Sequence, residues 1–77
     1  MVTMTKTRVA EALFVSDLQP SQPLSTPLIQ AAVDRMIERY GADGCAARMA
    51  SEFGDHPDLA VNRMIWVHRI LGTTGVA

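Results

Sequence analysis

The sequence predicts an all-α protein: a small bundle of three main helices plus a short N-terminal helix, the last two in a helix-turn-helix-like arrangement. Three observations carry this. Apolar residues recur at helical spacing from Ile29 to Tyr40, from Cys45 to Phe53 and from Ala60 to Leu71. Helix-starting and helix-stopping residues stand between those runs, namely Thr26-Pro27, Gly41, Asp43, Gly54 and Asp55-His56-Pro57. The connection Gly41-Ala42-Asp43-Gly44 is short, so the helices on either side should pack as neighbours.

The first helix is expected from about Thr5 to Ser16, with Thr5 or Thr7 as its cap. Val9, Ala12, Leu13 and Ser16 share one side, and Phe14, Val15 and Leu18 widen it. So short a helix cannot stand alone and must dock on its own body or on another chain. Residues 17–27 form a Pro-rich linker, because Pro20, Pro23 and Pro27 forbid a continuing helix. Leu18 and Leu24 should pin it.

In the second helix Thr26 caps, Pro27 opens and Gly41 terminates. Ile29, Ala32, Val33, Met36, Ile37 and Tyr40 share its inner face, while Gln30, Asp34, Arg35 and Glu38 lie outside. The third helix starts at Asp43 and stops at Gly54, with Cys45 or Ala46, Met49, Ala50 and Phe53 inward. The fourth follows an Asp55–Asp58 capping pair and ends at Gly72. It is apolar on two sides: Ala60, Met64, Val67 and Leu71 on one, Leu59, Trp66 and Ile70 on the other, with Arg63 between. Such a helix has two things to pack against. Residues 1–4 and 73–77 are expected to be disordered.

Composition narrows the function. Seventy-seven residues make one domain, 1–77, and a domain of this size buries only about 60% of its unfolded surface. The single Cys cannot form an internal disulfide, so self-association is the expected reinforcement. A net charge of −1 offers no electrostatic pull toward nucleic acid or anionic membrane. Nothing approaches a membrane span. The start, with Lys6 and Arg8 before an apolar run broken by Glu11, does not read as a signal peptide. An unpaired Cys fits a reducing compartment, and a cytoplasmic location is expected.

Three constellations invite chemistry. Ala50, Gly54 and the helix after them match a helix-turn-helix, in which Asn62, Arg63 and Arg69 would meet DNA. However, Asp55 and Asp58 crowd the N-terminus that should approach phosphate, and residues 43–71 hold four acids against three Arg. Asp55-His56-Pro57-Asp58 could act as an acid–base site, or with Cys45 and His68 hold a metal. No ligand spacing supports this, and a capped turn is the plainer reading. Cys45 could be a thiolate at a helix start; a small core residue is the plainer reading. His68 is expected half-buried and hydrogen-bonded to backbone. Trp66 leaves two readings open, an interface anchor or packing against the first helix.

At Ala12–Ser21 (ALFVSDLQPS) and Gly44–Pro57 (GCAARMASEFGDHP) the chain resembles short uncharacterised actinobacterial proteins, over about Ala12 to Arg69. That resemblance implies a cytoplasmic bacterial protein and carries no activity. The function expected is a small non-enzymatic protein-interaction or regulatory module, homodimeric, with no cofactor and no metal. Its partner patch is Leu59, Arg63, Trp66, Arg69 and Ile70; a DNA-binding regulator is the alternative.

Overall fold

Val9 to Phe14 form six consecutive buried residues at the centre of the computed structural model, which describes residues 6–73. They belong to α1 (Lys6–Val15). Two further helices enclose it, α2 (Thr26–Asp55) and α3 (Pro57–Thr73). The described chain is all-helical, and a kink inside α2 separates the second and third of the four helices that the sequence predicts. The expected tails, 1–4 and 74–77, lie outside the described residues; Thr73 belongs to α3.

A ten-residue helix is marginal in isolation, and α1 persists because both of its flanks are covered. Val9, Ala12 and Leu13 join Ile29, Ala32, Val33 and Met36 of α2 and Ala60, Trp66 and Val67 of α3 in one apolar cluster. Phe14 stacks on Phe53, ring centroids 5.7 Å apart. The radius of gyration is 11.7 Å. Among the described residues no helix is long and apolar enough to cross a membrane.

The end of α1 is closed locally by Ser16, whose hydroxyl donates to the Leu13 carbonyl at 2.7 Å. The chain then crosses to α2 through a turn in which Gln22 N–H bonds the Gln19 carbonyl at 3.0 Å. Pro20 follows Gln19 there, in the second position of a turn that its fixed φ suits. Leu18 is buried and Leu24 packs against the cluster, as the sequence requires of a pinned linker.

The structure shifts the helix boundaries in three places. Ser25, extended at φ −120 and ψ 158, caps α2 by accepting from Leu28 N–H, so Thr26 is already helical. Gly41 kinks α2, ending one helical segment before the next begins, as the sequence predicts. Only this residue leaves helical geometry (φ 72, ψ 167), and it divides α2 into two helical segments, the second and third helices that the sequence predicts. Asp43, just past the kink, accepts from Arg8 Nη1 at 3.2 Å rather than capping the segment that follows. The second segment of α2 ends at Asp55, one residue past the predicted Gly54. The single residue His56 separates α2 from α3, and Asp55 closes α2 instead of capping the helix that follows.

Ala50 is exposed instead of inward, while Cys45 is sealed in the core and Met49 and Phe53 pack at its edge. Arg35 reaches Asp17 at 3.0 Å, tying the linker to α2, and Gln30 bonds Asp34 at 3.0 Å. Across the bend the Arg48 guanidinium lies 3.9 Å from the Tyr40 ring centroid.

Candidate functional site

The residues singled out by sequence converge on α3, and α3 divides them between core and solvent. Ala60, Trp66 and Val67 are buried, while Met64, Ile70 and Leu71 pack against the core edge. Apart from exposed Leu59, both apolar sides therefore face α1 and α2 of the same chain.

Arg63, between the two sides, is the most connected side chain of the helix. Its Nε donates to the Phe14 carbonyl at 3.0 Å and its Nη1 to the Leu18 carbonyl at 2.7 Å. Its Nη2 donates to the carbonyls of Ser16 at 2.9 Å and Leu13 at 3.4 Å. These lie at or just beyond the end of α1, where a helix leaves carbonyls without intrahelical donors and its dipole favours a cation. Burial lowers the Arg63 pKa, but an arginine stays charged across the physiological range. Its guanidinium also covers the Trp66 ring at 4.3 Å.

The expected patch is therefore not one surface. Trp66, only 6% exposed, packs within its own chain, the second of the two readings left open for it. Arg63 is engaged with backbone, and Ile70 is half-buried. Leu59, at 67% exposure, and Arg69 remain on the surface, at opposite ends of α3. Of the residues named for DNA, Asn62 and Arg69 are exposed and Arg63 is not with them. The one-residue connection at His56 is also shorter than the three- to four-residue turn of a helix-turn-helix.

A different apolar face is presented outward. Val61 and Ile65, one turn apart, are 49% and 51% exposed. Phe53, Met64 and His68 border them around a shallow hollow of about 350 Å³. Sequence reasoning passed over Ile65 because it belongs to neither inner cluster of α3. The signal was present nonetheless: Val61, Ile65 and His68 are spaced as one helical stripe. His68 is exposed rather than half-buried, and among the described residues it has no hydrogen-bond partner, which corrects the expectation of a backbone bond.

The residues considered for catalysis or metal do not meet. Cys45 is fully buried with its Sγ 3.6 Å from the Met36 carbonyl, whereas His56, Asp55 and Asp58 are exposed at the α2–α3 junction. Burial, then the charge of Glu11, pushes the Cys45 pKa up, and Arg48 opposes them in part. That is the direction of an inert core thiol, opposite to a helix-start thiolate. Among the described residues no three His, Cys, Asp or Glu side chains are grouped as metal ligands. Compared with protein-family models, curated proteins and solved structures, the chain matches none.

Proposed function

We propose that this chain is a small non-enzymatic interaction module whose outward α3 face binds protein, in the first instance a second copy of itself. The observation that carries the reading is the adjacent pair Val61 and Ile65, both about half exposed on a helix whose other large apolar residues, Leu59 apart, are packed. Exposed apolar residues that cluster are the usual mark of a protein contact. Asp58 begins this face and Arg69 ends it, with Asn62 between. Two such helices paired antiparallel would set Arg69 of one against Asp58 of the other, with Ile65 beside Asn62 at the centre. A self-complementary patch of that kind is what a two-fold dimer needs.

Sedimentation equilibrium from micromolar to millimolar concentration tests this. The wild-type chain should show a concentration-dependent dimer. Ile65→Lys should remain monomeric with unchanged helicity. Asp58→Arg should weaken association, and Asp58→Arg with Arg69→Asp should restore it. A wild-type chain that stays monomeric throughout sinks the proposal.

A further inference from the structure

From the setting of Glu11 we infer a binding site for a small alkylammonium ligand, an aliphatic chain ending in a protonated amine. Glu11 is only 9% exposed, and it lines a cavity of about 440 Å³ between the start of α1 and the end of α3. Val9, Ala10, Met49, Met64 and Leu71 supply apolar walls. Among the described residues Glu11 makes no hydrogen bond or ion pair. No side-chain oxygen is both sealed from solvent and without a partner, so the carboxylate oxygens keep access through this cavity.

The carboxylate has no partner among the described residues and meets solvent through the cavity. A cation delivered on an apolar chain would satisfy it while filling the walls. Small-molecule sites combine a mainly apolar lining with one or two such polar groups, at volumes of this order. Two other titratable residues border the cavity. Lys6 is exposed and five positions before Glu11, off the three- and four-residue spacings that bring helix neighbours together. His68 is exposed on α3.

The test is a titration of the full chain with hexylammonium, its neutral isostere hexanol and the anion hexanoate, followed at the Met49 and Met64 methyl resonances. Hexylammonium should bind at least about tenfold more tightly than hexanol, since a charge-assisted hydrogen bond in a partly dry site is worth that factor. Hexanoate should not bind. Glu11→Gln should lose the preference for the amine. Glu11→Leu, which suits the apolar surroundings and guards against a misfolded Gln variant, should melt higher and lose the same preference. Equal binding of hexanol and hexylammonium, or no shift at either methyl with any of the three, overturns the assignment.

Discussion

The Arg63 guanidinium carbon lies 4.3 Å from the centroid of the Trp66 ring, and the same guanidinium donates to four carbonyls at the end of α1. The two residues act together. Trp66 fills the space between α3 and the core and offers Arg63 a flat surface, while Arg63 supplies the donors that α1 lacks. Arg63→Ala should therefore destabilise by about 2–4 kcal/mol, since buried carbonyls lose charged donors. Arg63→Lys should recover little, because an ammonium cannot reproduce the fork. Urea unfolding monitored by helicity checks both, and a loss below about 0.5 kcal/mol for Arg63→Ala would contradict the capping role.

Trp66→Ala should behave as a core deletion. A cavity of this kind costs roughly 3–5 kcal/mol, a large part of the stability of so small a domain. Helicity should fall at room temperature, with Trp66→Phe intermediate. A variant that kept full helicity and stability while losing a partner would return Trp66 to the surface role expected from sequence.

Gly41 and Gly54 should respond in opposite directions to alanine. Gly41 has φ 72 and ψ 167, a region open to little but glycine, and a Cβ there would meet nothing within 4 Å. Gly41→Ala should thus cost about 1–3 kcal/mol through backbone strain alone. Gly54 sits in helical backbone with an equally open surrounding. Gly54→Ala should add roughly 0.5–1 kcal/mol. Paired thermal melts decide the matter, and two changes of the same sign would refute it.

Cys45 should be silent toward thiol reagents until the protein unfolds. Its pKa is raised above 9.0 in the folded state, so folding favours the protonated thiol. The sign follows directly: this contribution is complete below about pH 9 and declines as pH rises past it, where the unfolded chain releases the proton more readily. Stability of the wild type should fall more steeply above pH 9 than that of Cys45→Ala. Parallel curves for the two would argue that the thiol is not held neutral by burial.

The ion pairs Arg35–Asp17 and Arg8–Asp43 join segments far apart in sequence, yet their side chains are 53% and 79%, and 41% and 100%, exposed. Solvent screens such pairs, and Arg35→Gln should change stability by less than about 1 kcal/mol. Added salt should scarcely move the melting temperature.

Local chemistry was enough to mark the helical faces. Ile29, Ala32, Val33 and Met36 are inward at the predicted spacing, and Leu18 and Leu24 pin the linker. Apolar spacing determines which side of a helix seeks cover, because that depends on 3.6 residues per turn and nothing else. It does not determine what provides the cover. Trp66 and Arg63 have the composition of an interface anchor, and only the approach of α1, with carbonyls in need of donors, made them internal. Gly41 and Gly54 look alike as helix stops, and only the backbone separates a left-handed kink at Gly41 from helical geometry at Gly54. Glu11 reads as a break in an apolar run, and the packing of α1 between two helices turned it into a buried charge. Each of these outcomes depends on residues distant in sequence, whose positions follow from burying all three helices at once.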